Sequence, residues 1–110
     1  MARILISGGS LGGLMAANIL LRAGHDVLVL ERSARSLEGR GAGIGTRESL
    51  RAALRQCGAV VAHRLGVPVE SRVVLDARGQ AECRWQHPQV LTSWGRLYSL
   101  LRAALPDDRY

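Results

Sequence analysis

Four glycines and a serine fall within six positions, Gly8-Gly9-Ser10-Leu11-Gly12-Gly13, and a carboxylate, Glu31, follows 23 residues after Gly8. Glycine lets a backbone turn tightly and approach a bulky anion, and the amides that open a helix carry the positive end of its dipole. The chemistry that suits this spacing is the binding of a pyrophosphate-bridged nucleotide. Gly8 makes the turn. Ser10, Leu11 and Gly12 begin a helix whose unpaired N–H groups face a phosphate, and Gly13 leaves that helix no side chain to hold it off the sheet. Glu31 can then accept hydrogen bonds from the hydroxyls of an adenosine ribose. Against the pattern G-x-G-x-x-G, Ser10 stands where the second glycine belongs; it keeps the backbone N–H and adds a hydroxyl able to bond a phosphate oxygen.

The same residues spell G-x-S-x-G, the nucleophile elbow of a serine hydrolase, which would make Ser10 a nucleophile. That reading is the weaker one. Only seven residues precede Gly8, too few for an oxyanion loop; His25 is too close in sequence to fold back, and His63 and His87 have no recognisable acid partner. Cys57 and Cys83 lack CxxC spacing and the three histidines are scattered, so no metal site is predicted. No residue is assigned as a catalytic acid, base or nucleophile.

The elements that must position these groups follow from the hydrophobic pattern. Ile4, Leu5 and Ile6 read as a short strand buried on both faces of a parallel sheet. Leu11, Leu14, Met15, Asn18, Ile19, Leu21 and Arg22 keep helical spacing, Gly24 supplies the αL stop, and Val27 to Leu30 form a second strand. The fold class is therefore α/β, with a Rossmann-like βαβ unit. Ser33 to Gly45 is polar, and Gly39, Gly41, Gly43 and Gly45 alternate through it, which predicts a backbone passing close to a bound group. Thr46 is predicted to cap a helix through about Cys57, with Leu50, Ala53 and Leu54 on one face and Gly58 near its end. Val60 to Leu65 suggests a further helical turn. Valines and Leu75 over 67–75, turn chemistry at Asp76-Ala77-Arg78-Gly79 and the run Ala81 to Trp85 predict a β-hairpin over 67–86. Ser93 to Leu105 reads as a helix capped by Ser93 and stopped by Pro106. Arg96, in its first turn, is either a solvated cation or one that awaits an anionic partner.

At 110 residues the chain is one domain at most, and an apolar fraction of 47% argues against disorder. No run approaches the length of a membrane span and no signal peptide is evident, so the chain reads as cytoplasmic with no membrane partner. The net charge of +6 comes from 15 basic residues, all arginine and dispersed singly, with few aromatics between them; no nucleic-acid partner is predicted.

Four segments, ISGGSLGGLMAA at 6–17, AGHDVLVLERSA at 23–34, RGAGIG at 40–45 and SWGRLYSLLRAALP at 93–106, resemble in order and spacing the N-terminal part of the FAD-dependent aromatic-ring monooxygenases of the p-hydroxybenzoate hydroxylase type. Within these the chain is most similar to the 2,6-dihydroxypyridine 3-monooxygenase-like subgroup, where a GGS turn is familiar. The resemblance implies FAD as cofactor, with NAD(P)H and O2 as co-substrates for hydroxylating an aromatic or heteroaromatic ring. It places Gly8 through Gly13, with Ser10, Leu11 and Gly12, around the pyrophosphate, and Glu31 on the ribose. Arg32 falls beside the adenine end, Arg40 near the phosphates, Gly43 with Ile44 toward the flavin, and Arg96 on the cofactor from the following helix.

On the same resemblance, residues 1–110 are the N-terminal portion of an FAD-binding domain. They comprise the βαβ unit with its glycine-rich loop and helix over 1–58, the hairpin over 67–86 that begins the substrate-covering sheet, and the helix over 93–105. The second flavin signature and most substrate contacts of the family follow the equivalent of Tyr110. The chain is thus expected to be incomplete at its C-terminus and, alone, to be a truncated, non-catalytic nucleotide-binding fragment. Its partner is a small aromatic substrate in the complete enzyme, and a homo-oligomer or a missing C-terminal part completes the expected set. Each buried aliphatic side chain stabilises by about 1.5 to 3 kcal/mol, so uncovering several makes the isolated chain marginal.

Overall fold

The computed structural model describes residues 1–61 and 64–110. Strand β1 (Arg3–Ser7) runs parallel to β2 (Asp26–Leu30), with Arg3 opposite Asp26 and Ser7 opposite Leu30, and α1 (Leu11–Arg22) connects them. Ile4, Ile6, Val27 and Val29 alternate onto one face and join a core with Leu14 and Ala17 of α1. The opposite face departs from the sequence expectation: Leu5 and Leu30 remain 61% and 53% exposed. Two strands with one helical layer cover a single face, and burial on both needs a second layer.

Helix α1 ends in a Schellman closure. Gly24 adopts φ +88°, its N–H reaches the Leu21 carbonyl, and the His25 N–H reaches that of Leu20. The predicted helix after residue 46 is α2 (Glu48–Gln56), closed the same way by Gly58, with Leu54 buried. Thr46 does not cap it. Its hydroxyl donates instead to the Val90 carbonyl at 2.8 Å, because Thr46 is the last residue of a strand, β3 (Gly43–Thr46), where a loop was predicted.

That strand belongs to a separate antiparallel sheet of order β3-β5-β4, in which β4 is Val67–Leu75 and β5 is Ala81–Ser93. The hairpin forms as predicted, around Asp76, whose Oδ1 accepts the Arg78 and Gln80 amides, and Gly79 at φ +79°. Strand β5, however, continues past residue 86 to Ser93. Pro88 interrupts nothing, because it sits where the register slips between the pairs Val69–Gln89 and Ser71–Gln86, a bulge that asks no ladder N–H of it. The helical turn suggested for Val60 to Leu65 falls in part on 62 and 63, outside the described residues.

Helix α3 (Trp94–Ala104) starts at Ser93, whose Oγ accepts the Arg96 N–H, and buries Leu97, Tyr98 and Leu101. It packs on α1 through the fully buried Asn18, whose Nδ2 donates to the carbonyls of Leu14 and Leu101 at 2.9 and 3.0 Å. A 3-10 turn (Asp107–Arg109) follows, and Arg109 and Arg3 share the Asp26 carboxylate. The molecule measures 55 × 27 × 20 Å, and its radius of gyration of 17.1 Å exceeds the ~13 Å of a round domain this long. The excess is the hairpin: residues 72–86 are all exposed.

Candidate functional site

Beyond β1 the chain reverses at Gly8, which adopts φ +107° and donates its N–H to the Leu30 carbonyl at 2.8 Å. Ser10 is the N-cap of α1, yet its side chain caps nothing, and the first helical turn contains no acidic residue. A Cβ on Gly13 would collide with the Gly8 carbonyl oxygen, so only glycine lets the helix sit this close to the turn. Gly12 faces the other way: nothing lies within 4 Å of where its Cβ would be. The helix therefore presents its opening amides, and a free hydroxyl, to unfilled space.

Glu31 reaches this turn from the end of β2. Its Oε2 accepts the Gly9 N–H at 2.8 Å and its Oε1 accepts the Ser33 N–H at 2.9 Å. The Ser33 and Gly9 amides, helped by the charges of Arg32 and Arg40 against a burial effect of opposite sign, hold the carboxyl below the usual carboxylate range. Each oxygen retains a lone pair for a sugar hydroxyl.

A cleft of about 520 Å³ lies between the loop Glu38–Gly43 and the start of α3, Ser93 to Arg96 with Ser99. Arg40 and Arg96 line it from opposite segments. Arg96 Nη2 donates to the Arg64 carbonyl at 3.0 Å. Among the described residues neither Arg32, Arg40 nor Arg96 forms an ion pair with a carboxylate. Arg40, in the wall of this cleft, is the smallest of the influences that lower the Glu31 carboxyl.

The sequence-predicted residues thus gather at two adjoining places. Gly8, Ser10, Leu11, Gly12, Gly13 and Glu31 form the turn; Arg40, Gly43 and Arg96 line the cleft; Arg32 is exposed just beyond Glu31. Ile44 lies in β3 with its side chain against the core rather than in the cleft lining. The crowding around the alternating glycines has an internal cause at two of them: a Cβ on Gly41 would lie 2.6 Å from Trp94 Cγ, and one on Gly45 would lie 2.7 Å from Gln89 Oε1. Sequence reasoning included Gly9 in the turn without a role of its own and missed Tyr110. The Tyr110 hydroxyl donates to the Gly9 carbonyl at 3.2 Å across 101 residues of chain; the only local signal was a glycine at a position where the pattern asks for none. Among the described residues no serine-hydrolase arrangement is assembled around Ser10. His25 Nδ1 accepts the Ala2 N–H at the N-terminal end of the strands, whereas Ser10 follows their C-terminal end; His63 lies outside the described residues.

The FAD binding domain family matches residues 1–92. A curated relative, 2,6-dihydroxypyridine 3-monooxygenase of Paenarthrobacter nicotinovorans, is 37% identical over 103 residues, covering 89% of this chain and 26% of its own length. Among solved structures, 2,6-dihydroxypyridine-3-hydroxylase from Arthrobacter nicotinovorans is similar with a TM-score of 0.84 and 36% identity, over 98% of this chain and 28% of that one. The tetrameric form of 2-methyl-3-hydroxypyridine-5-carboxylic acid oxygenase shares the fold, with a TM-score of 0.76 and 24% identity over 94% of this chain and 29% of that one. The chain spans about a quarter of the length of the curated relative it matches. No helix among the described residues is long and apolar enough to cross a membrane.

Proposed function

Because the chain belongs to the FAD binding domain family, we propose that it holds FAD within a flavin-dependent monooxygenase that uses NAD(P)H and O2 to hydroxylate a small aromatic ring. A pyridine-type ring is favoured by the substrate named for the relatives that are 36% and 37% identical. The residues present fit the cofactor. The space beside Gly12, the helix-opening amides and the Ser10 hydroxyl suit a diphosphate, Glu31 suits the ribose, and Arg40 and Arg96 supply cations without carboxylate partners among the described residues.

Bound FAD supplies the redox chemistry and the activation of oxygen; the protein supplies binding and orientation. Gly8 to Gly13 hold the pyrophosphate, Glu31 orients the sugar, Arg32 flanks the adenine end, and Arg40 and Arg96 offset phosphate charge. Gly43 and Ile44 mark the direction of the flavin. No side chain of this chain is assigned to proton or oxygen transfer. In domain terms, 1–58, 67–86 and 93–105 are parts of one FAD-binding unit, and the hairpin opens the sheet that covers the substrate.

One observation carries this reading: a carboxylate at the end of β2 is bonded to the glycine turn after β1, beside an open helix start. Titration with FAD, followed by flavin fluorescence, tests it. Glu31→Ala and Gly8→Val should each weaken FAD binding at least about tenfold, corresponding to ~1.4 kcal/mol or more, while the far-ultraviolet circular dichroism is retained. Unchanged affinity in both variants refutes the assignment.

A further inference from the structure

Three of the chain's four aromatic residues are linked in one row, two by stacking and two by their hydroxyls. Trp94 and Tyr98 lie parallel, with ring centroids 5.4 Å apart and planes at 8°, and the Tyr98 hydroxyl meets the Tyr110 hydroxyl at 3.3 Å. Each end of the row rests on a glycine. The Trp94 side chain occupies the space a Cβ on Gly41 would need, in the wall of the arginine cleft. The Tyr110 ring does the same at Gly9, where a Cβ would fall 2.6 Å from Tyr110 Cζ. Gly9 is consequently buried although Ser10 beside it is exposed. Arg102 holds the far end, its guanidinium 4.5 Å from the centre of the Tyr110 ring while it bonds the Leu105 carbonyl and Asp107.

Gly9 is thereby held from both sides, its N–H by Glu31 and its carbonyl by Tyr110. A trans peptide points the carbonyl of one residue and the N–H of the next in opposite directions. Fixing the Gly9 carbonyl toward Tyr110 therefore fixes the Ser10 N–H away from it, and that amide has no acceptor among the described residues. We propose that Trp94, Tyr98 and Tyr110 form a positioning spine that sets the distance between the glycine turn and the arginine-lined cleft, and aims the Ser10 amide at the diphosphate of the cofactor. The proposal rests on the FAD reading above. The three residues are positioning residues that act through the backbones of Gly9 and Gly41.

Its test combines FAD titration with the amide NMR signals of Gly9 and Ser10 recorded without cofactor. Tyr110→Phe keeps the ring and deletes the hydroxyl's bonds to the Gly9 carbonyl and to Tyr98; it should shift both amide signals and weaken FAD about threefold to tenfold. Gly9→Ala should weaken FAD more than about tenfold, and the further change Tyr110→Leu should bring the affinity back to that of Tyr110→Leu alone, because it removes the ring that the new methyl strikes. The rescue tests the contact between ring and Gly9; the change at the Gly9 and Ser10 amides in Tyr110→Phe, which a ring that merely filled space would not produce, tests the positioning role. If Gly9→Ala is equally harmful in both backgrounds, or if Tyr110→Phe leaves the two amides and the affinity unchanged, the spine is refuted. Should the double variant fail to fold, the Tyr110→Phe spectra decide. Wild-type protein that ignores FAD overturns the cofactor reading alone, and the cofactor-free amide signals still decide the spine.

Discussion

Adding one methyl group at Gly12 or at Gly13 should change stability in opposite directions, although the two glycines are adjacent in the same helical turn. At Gly12 the new Cβ meets nothing within 4 Å, so alanine there gains only helix propensity, up to about 1 kcal/mol. At Gly13 the Cβ runs into the Gly8 carbonyl oxygen and stands 3.0 Å from the Gly8 carbonyl carbon. That neighbour is backbone and cannot rotate away. Overpacking of this kind costs about 1 to 3 kcal/mol, which exceeds the propensity gain over most of that range. With about 4 °C per kcal/mol for a domain near this size, cofactor-free Gly12→Ala should melt up to ~4 °C higher, and Gly13→Ala, at a net cost of up to ~2 kcal/mol, up to ~8 °C lower. FAD affinity should separate the pair again. The Gly12 methyl occupies the space assigned to the diphosphate, so the more stable variant should bind FAD at least about tenfold more weakly, ~1.4 kcal/mol. Thermal melts and flavin titration on the same preparations measure both effects. Gly12→Ala that destabilises the apo protein, or that binds FAD like wild type, refutes the placement of the ligand space; an unperturbed Gly13→Ala refutes the close contact of helix and turn.

Two further outcomes follow from buried or charged hydrogen bonds. The Glu31 carboxyl is held below its ordinary range in the folded chain, so its contribution is complete above the unfolded-state value and is lost as pH falls through the folded one. The melting difference between wild type and Glu31→Gln should stay level from about pH 7 to about pH 5 and shrink in more acidic buffer; a difference that grows on acidification contradicts the two amide bonds. Asn18→Ala removes the side-chain bonds to the Leu14 and Leu101 carbonyls, and the Leu105 N–H cannot compensate because it goes to Arg102. Denaturant titration should show a loss of about 1 to 3 kcal/mol, and a loss under ~0.5 kcal/mol would show that α1 and α3 do not depend on this bridge.

The β1-α1-β2 unit was legible in the sequence because local stereochemistry determines it. Gly8 and Gly24 occupy positive-φ conformations that other residues rarely adopt, and the apolar spacing fixes which face of α1 turns inward. The same holds for Ser93, a cap whose acceptor role is settled within three residues. Strand β3 was hidden because two of its four residues are glycine and the residues it pairs with lie more than 40 positions later. That remote pairing also redirected Thr46 from a helix cap to the Val90 carbonyl, so one undetected strand produced two misreadings. The predicted hairpin stopped at 86, short of the end of β5, and the place of Pro88 within that strand depends on a bulge, which is a property of two strands together. Within the site, the glycine turn and Glu31 could be read from spacing alone. Tyr110 could not, since nothing around it in the sequence indicates that its ring replaces a side chain at Gly9.

The projecting hairpin divides the molecule into two regimes of local opening. Between residues 72 and 86 both faces meet water, and the strands are held by their ladder, by side-chain pairs such as Arg72 with Trp85 and Val74 with Cys83, and by the Asp76 turn. Such pairs contribute only about 0.2 to 1 kcal/mol each, so the tip can fray without disturbing Leu28, whose amide faces β1 in the parallel ladder that the packed helices cover. Deuterium uptake should accordingly begin at the hairpin end and reach the parallel strands last, leaving the nucleotide-facing half of the chain the most slowly exchanging part of the protein.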